Sequence, residues 1–251
     1  MRTLFVKLKS GTEELNYGRE IIAGMARRHA GDPGAETLRV LDLGLGSGAD
    51  LENIRAAMGG RTIELFGVDS YEPNVRAGRD RGVEVVSLNL ERDRLPFADA
   101  SLDLVVANQV LEHTKEIFWI VSEAARVLKR DGALLVGVPN LASLHARVML
   151  ALGMQPSPID VLGPHVRGFT KGGFKAFIEV GGFFHAVEVR GANFYPFPGF
   201  LARPLARALP GFSVSLFFRC QRTAKDGRFI EVLDRKFFET PFFRGSEERE
   251  A

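Results

Sequence analysis

Two groups of residues in this sequence have the types and spacing to do chemistry. The first is a run of three glycines in five residues, Gly44, Gly46 and Gly48, directly after the apolar segment Leu38–Leu43. Glycines let a chain turn sharply and let its backbone approach a ligand closely. A helix opening after them would offer its N-terminal N–H groups. Gly44, Gly46 and Ala49 also satisfy the dinucleotide pattern G-x-G-x-x-G/A, so the glycines alone leave the ligand open. No Gly-Lys-Ser/Thr follows, which excludes a P-loop. Asp69 ends the next apolar segment at Val68-Asp69-Ser70. A carboxylate there can accept both hydroxyls of a ribose and would repel a 2′-phosphate. Asp69 or Ser70 would equally serve as the N-cap of a helix opening at Glu72-Pro73.

The second group centres on two histidines. His113 stands just beyond the apolar segment 102–107, and His165 lies in Gly163-Pro164-His165-Val166-Arg167-Gly168-Phe169-Thr170. A histidine titrates near neutrality, so either can act as a general base. His113 could instead cap its loop or pair with Glu112. His165 could bind an acceptor whose phosphate or carboxylate Arg167 would clamp. The segment 194–201, with Tyr195 and the nearby Arg203 and Arg207, reads three ways: packing over a sheet, the wall of an acceptor site, or an anchor at a bilayer surface.

These residues need elements that bring them together. Apolar runs at 38–43, 62–68, 83–88, 102–107 and 133–138 alternate with helical patterns at 49–58, 72–80 and 117–129. The alternation predicts an α/β fold, a parallel sheet covered on both faces, with ligands bound beyond the carboxyl ends of its strands. Helices are expected at 13–29, 143–152 and 171–180, and strands at 183–190 and 212–220 as a terminal antiparallel pair. The whole is divided as a helical cap (1–36), a ligand-binding core (37–140), acceptor-binding helices and loops with the last two strands (141–222), and a tail (223–251).

Composition narrows the classes. The chain has 251 residues, 45% hydrophobic and 25% charged, which is the make-up of a soluble globular protein. Lys+Arg number 33 and Asp+Glu 31, a net charge of +2 that gives no case for nucleic acid as the main partner. A single cysteine, Cys220, excludes a disulfide framework and is expected to be a buried strand residue. The start of the chain has no apolar signal core and no run is long enough to span a bilayer, so a cytoplasmic location is expected. Of 20 Phe only Phe5, Phe66, Phe97 and Phe118 precede residue 150, so the second half is Phe-rich. The Phe237-Phe238 and Phe242-Phe243 pairs are expected to dock the tail onto the body or a second subunit.

The succession VLDLGLGSG, FGVDS, LNLERDRLPFADASLDLVVANQVLEH and EAARVLKRDGALLVGVPN resembles the class I S-adenosylmethionine (SAM)-dependent methyltransferases. It is similar to the group that includes ubiquinone-pathway O-methyltransferases and many small-molecule and glycan-pathway enzymes. The resemblance implies a seven-stranded, mostly parallel doubly wound sheet, here with a Phe-rich C-terminal elaboration. It implies that Asp42, Gly44, Gly46 and Gly48 hold the methionine part of SAM, and that Asp69 takes the ribose with Ser70 beside it. Asn89 and Leu90 would meet the adenine, although the family often has Asp at the Asn89 position. The Asn108 backbone would lie near the amino-acid end of SAM, and Tyr17 would cap the cofactor.

The activity implied is methyl transfer to a hydroxyl or amine of a small molecule, sugar or lipid-linked glycan. His113 and His165 are then the candidate bases, and Arg167 and Tyr195 the candidate acceptor-binding residues. Glu112-His113 resembles part of a Glu-x-x-Glu-His metal arrangement of some relatives, but Gln109 replaces its first acid, so no metal is expected. Peripheral membrane contact and a homodimer are further partner readings. Three alternatives stand against this. An NAD-dependent oxidoreductase or epimerase would share the glycine pattern, but no Tyr-x-x-x-Lys pair appears. An adenine-N6 nucleic-acid methyltransferase would carry Asn/Asp-Pro-Pro-aromatic where Asn108-Gln109-Val110-Leu111 stands. The third is a non-catalytic SAM-binding partner subunit.

Overall fold

A computed structural model describes residues 18–31, 36–235 and 241–245. Tyr17, the start of the expected 13–29 helix and the Phe237-Phe238 pair lie outside the described residues.

The sequence runs α1 (Arg19–Ala30), β1 (Leu38–Leu43), α2 (Ala49–Ala57), β2 (Ile63–Asp69), α3 (Glu72–Asp80), β3 (Glu84–Ser87) and β4 (Leu102–Asn108). It continues through α4 (Ile117–Val127), β5 (Leu128–Pro139), α5 (Leu144–Ala151), α6 (Lys171–Glu179), β6 (Phe184–Ala192), α7 (Gly199–Ala208) and β7 (Ser215–Arg222). The strands form one seven-stranded sheet in the order β3-β2-β1-β4-β5-β7-β6. β1 through β5 pair in parallel, and β7 runs antiparallel between β5 and β6. β1 lies between β2 and β4, so the strand order reverses there and a crevice opens beyond its carboxyl end, where ligands of such sheets bind.

Both faces are covered, which is why the inner strands read as near-continuous apolar runs. Along β4, Leu104 and Val106 face the layer that holds Ile22 and Met25 of α1 and Leu51 and Ile54 of α2. Val105 and Ala107 face the other layer, with Ile120, Val121 and Ala124 of α4 and Phe174 of α6. The late phenylalanines fill that second layer. The Phe174 ring lies 4.4 Å from Phe218, and Phe229 from the tail lies 5.8 Å from Phe177. Cys220 is buried on β7, as expected.

Several element bounds differ from the sequence reading, most of all at three places. α4 stops at Val127 rather than Lys129, because Leu128 is already extended and β5 starts there. The last strand starts at Ser215 rather than Phe212, because residues 210–212 turn as a short 3-10 segment. α7 was not expected at all. Pro204 lies inside it, where a missing N–H normally breaks a helix. The helix nevertheless buries Ala202 and Ala206 against Phe194, Leu144 and Leu205. Tertiary packing outweighs local preference there.

The tail docks onto the body. Phe242 and Phe243 pack with Trp119, Ile230 and Leu233, and the Phe243 N–H donates to Glu116 Oε2 at 2.7 Å.

Candidate active site

Beyond Leu43 the chain turns over the glycines into α2. The Gly44 N–H donates to the Val68 carbonyl at 2.9 Å and so ties the turn to β2. Gly46 has φ +54°, and a Cβ added there would meet nothing nearer than the Gly44 carbonyl oxygen, 3.9 Å away. The turn therefore presents bare backbone to open space at the carboxyl end of β1. Asp69 accepts three hydrogen bonds: from Gly46 N–H at 2.9 Å, Tyr71 N–H at 2.8 Å and Asn74 Nδ2 at 3.0 Å. It thus holds the glycine turn against the start of α3. The N-cap of α3 is Tyr71 rather than Asp69 or Ser70.

The floor of this crevice is acidic. Asp42 is 2% exposed, and its Oδ2 has no hydrogen-bond partner among the described residues. Burial, together with the Asp50 and Asp69 carboxylates, pushes its pKa well above the usual range, and Arg19 of α1 offsets this only in part. Asp50, in the first turn of α2, is also raised by burial, although Asn108 Nδ2 donates to its oxygens at 3.1 and 3.2 Å. Three carboxylates around a glycine turn suit a cation and oppose a diphosphate. SAM carries positive charge on both its sulfonium and its ammonium group. The residues present fit it, and Asp42 Oδ2 is the atom such a charge would satisfy. Asp50 escaped the sequence reading. Its available signal was an acid two positions after the last glycine.

The adenine candidates are less open. Asn89 Oδ1 accepts from Glu91 N–H at 2.9 Å, and Asn89 N–H donates to Asp93 at 2.6 Å. Its side chain is therefore folded into its own turn. Leu90 packs against the core. Ser70 stands exposed beside Asp69.

The structure brings the two histidines together. After β4 a short 3-10 turn, Leu111–His113, carries Glu112 and His113. Val110 just before it packs at Gly44, where an added Cβ would come within 2.9 Å of its side chain. The turn is therefore a direct neighbour of the glycine loop. The loop carrying His165 folds onto it, with Val166 N–H and Arg167 N–H donating to the Glu112 carbonyl at 2.9 and 3.3 Å. The two imidazole rings lie 4.7 Å apart. His165 Nδ1 faces the Pro158 carbonyl at 2.9 Å, and His113 Nδ1 faces the Pro164 carbonyl at 3.4 Å. A carbonyl only accepts, so each Nδ1 carries the proton and each neutral ring keeps its lone pair on Nε2. Burial and the neighbouring His165 lower the His113 pKa below the ordinary histidine value.

Glu112 is the residue that the sequence reading undervalued. It is 1% exposed, and no neighbouring group among the described residues donates a hydrogen bond to either carboxylate oxygen. Burial pushes its pKa up to about 7, and only its own main-chain amide opposes this. His113 Nε2 is 3.9 Å from Glu112 Oε1, a loose approach rather than a bond. The ligating atoms of Glu112, His113 and His165 lie within 4.8 Å of one another. That donor set includes His165, which the Glu-x-x-Glu-His comparison left out.

Arg167 bonds Glu112 through its main-chain N–H, while its side chain meets other partners. Arg167 Nη2 donates to the Lys115 carbonyl at 3.1 Å, and its guanidinium lies 5.9 Å from the Phe242 ring under the docked tail. The Tyr195 ring lies 5.8 Å from that of His145 on α5.

The seven-stranded sheet with its flanking helices is that of a class I methyltransferase fold. Residues 41–136 match the family described as Methyltransferase domain, and they form a SAM-dependent methyltransferase domain with SAM as its cofactor. Among curated relatives, 27-O-demethylrifamycin SV methyltransferase of Amycolatopsis mediterranei is 32% identical over 135 residues, 50% of this chain and 46% of that protein. The chain spans about half or less of the length of the curated relatives it matches. A SAM-dependent methyltransferase from Archaeoglobus fulgidus superposes with a TM-score of 0.55 at 18% identity, over 81% of this chain and 94% of that one. The [4+2]-cyclase SpnF superposes with a TM-score of 0.58 at 18% identity, over 82% of each chain. These structural likenesses show the fold.

Proposed function

We propose that this chain transfers a methyl group from SAM to a hydroxyl or amine of a small molecule, sugar or lipid-linked glycan. The supporting observation is the position of the Glu112-His113-His165 cluster, packed through Val110 against the glycine turn. It puts proton-accepting groups next to the cofactor crevice. In this reading Asp42, Asp50 and the glycine backbone hold the cationic amino-acid end of the cofactor, and Asp69 takes the ribose. When bound, the cofactor supplies a methyl group on a sulfonium, already activated for in-line displacement. The chain aligns the acceptor with that methyl group. Nε2 of His113 or His165 takes the acceptor proton, since it is the ring nitrogen that keeps a lone pair. Burial keeps His113 neutral, and so competent as a base, at neutral pH. Arg167 and Tyr195 belong to the wider acceptor surface in this reading.

The test is release of S-adenosylhomocysteine from SAM with a panel of hydroxyl and amine acceptors, alongside a calorimetric titration of SAM. Turnover with an acceptor, lost in the His113→Gln and His165→Gln variants while SAM still binds, is the expected result. SAM binding without turnover on any acceptor would leave a non-catalytic SAM-binding subunit as the better reading.

A further inference from the structure

The exposed apolar surface of this protein is concentrated beside the site. Fourteen large hydrophobic side chains stand exposed among the described residues, and twelve of them fall in residues 148–166 and 197–212. Leu162 is 91% exposed, Val161 83% and Phe200 76%. The two segments adjoin. The Arg147 guanidinium lies 4.6 Å from the Phe212 ring, and Leu144 of α5 and Leu205 of α7 pack around one cluster with Phe194. Both sit at the carboxyl edge of the sheet, since α5 follows β5 and α7 leads into the antiparallel β7. α7 turns Ala202 and Ala206 inward and leaves Phe200, Leu201, Arg203 and Arg207 exposed.

The charge of this region is one-sided. Residues 141–170 and 193–214 contain four arginines and a single acid, Asp160, in a chain whose net charge is only +2. Arg147, Arg203 and Arg207 are exposed, whereas Asp160 is half-buried. Apolar side chains interspersed with arginines match the boundary of an anionic bilayer, where the chains enter the acyl layer and the guanidinium groups meet phosphate. A two-fold contact between copies through the same face would set arginines against arginines.

We propose that the face formed by α5, the loop 153–166 and α7 docks on an anionic lipid surface, with Leu162 and Phe200 as its inserted side chains. The loop that carries His165 holds Leu162 and Val166 as well, so docking sets the acid–base cluster at the membrane boundary. That the acceptor is then drawn from the bilayer rests on the methyl-transfer reading; the docking itself does not.

The test is co-sedimentation of the full chain with phosphatidylcholine vesicles, with and without phosphatidylglycerol, with a vesicle-free control. Partitioning is expected to be roughly tenfold or more higher with the anionic lipid and to fall as salt rises from about 0.1 to about 0.5 M. The double variant Leu162→Ser/Phe200→Ser should lose roughly tenfold of this binding. It should melt as the wild type does, since both side chains are exposed. Arg203→Glu/Arg207→Glu should lose the preference for the anionic lipid. Failure of the wild type to pellet with either lipid, or unchanged pelleting of both variants, overturns the proposal. A dimer in sedimentation velocity that the double variant splits, with no vesicle binding, overturns it in favour of a contact between copies. A parallel SAM titration keeps the two readings apart: loss of SAM binding in the wild type would sink methyl transfer and leave the lipid result standing.

Discussion

The main-chain N–H of Gly46 donates to Oδ2 of Asp69 at 2.9 Å, so the carboxylate at the end of β2 also fixes the glycine turn at the end of β1. In the proposed function one residue therefore serves both shape and binding. Asp69→Ala removes the acceptor for Gly46, Tyr71 and Asn74 together. The expected cost is about 1–3 kcal/mol of stability, with SAM affinity reduced by roughly tenfold or more. Asp69→Asn keeps one acceptor oxygen and should lose less stability than Asp69→Ala. Thermal melts and calorimetric titration of both variants check this. Unchanged SAM affinity in Asp69→Ala would remove Asp69 from the site.

Asp42 should trade stability for binding. Its folded pKa is raised, so the folded state binds that proton more tightly than the unfolded chain does. Stability is lost as pH climbs above the ordinary carboxylate range of about 4. Asp42→Asn removes the charge but keeps the shape. It should melt higher than the wild type at neutral pH and bind SAM far more weakly. The stability gain should vanish as pH falls well below about 4, where the wild-type carboxyl is protonated in both states. A variant that is less stable at pH 7, or that binds SAM normally, would contradict the account of the acidic floor.

Glu112 predicts a second pH signature. Its folded pKa is about 7 against an ordinary 4.5. Between those values the unfolded chain ionises and the folded protein does not, so stability should fall as pH rises through that window and level off above it. The shift corresponds to about 3 kcal/mol at most. Melting temperatures of wild type and Glu112→Gln from acid to mildly alkaline pH should converge at low pH, separate as pH rises from 4.5 to about 7 and keep a constant gap above that, with the variant the more stable. Parallel curves would show that Glu112 does not titrate in this window.

The pH–rate profile should locate the base. Because the His113 pKa is lowered, the acid limb of the rate profile is expected below 6.5, the ordinary histidine value. His113→Gln should lower kcat by about 10²–10⁴-fold and remove that limb, with SAM affinity little changed. A profile that keeps its limb in His113→Gln and loses it in His165→Gln would assign the base to His165.

Much of the fold was legible because the inner strands are buried on both faces. Leu38–Leu43 was read to the residue for that reason: Leu38, Val40, Leu41 and Leu43 are all buried, whichever face they meet. α7 was hidden because its proline and glycine content reads as loop, and only the contacts of Ala202 and Ala206 make it a helix. At the site, the glycines and Asp69 were legible because strand ends fix their positions. Glu112 was not. It is buried in a site where Val166 and Arg167, from a distant part of the chain, bond its main-chain carbonyl. Asn89 was read as an adenine contact, and its Oδ1 accepts from Glu91 N–H within its own turn, which sequence spacing does not reveal.

The placement of β7 bears on how the protein is made. β7 lies between β5 and β6, and among the described residues β6 has no other strand beside it. On the ribosome β6 emerges first and finds no partner, while β5 stays an open edge able to pair with strands of other chains. The five parallel strands can assemble early, but the sheet closes only when Arg222 has left the exit tunnel. A nascent chain stalled before that point would combine an assembled cofactor crevice with an unpaired apolar edge, and would be a natural client for chaperones.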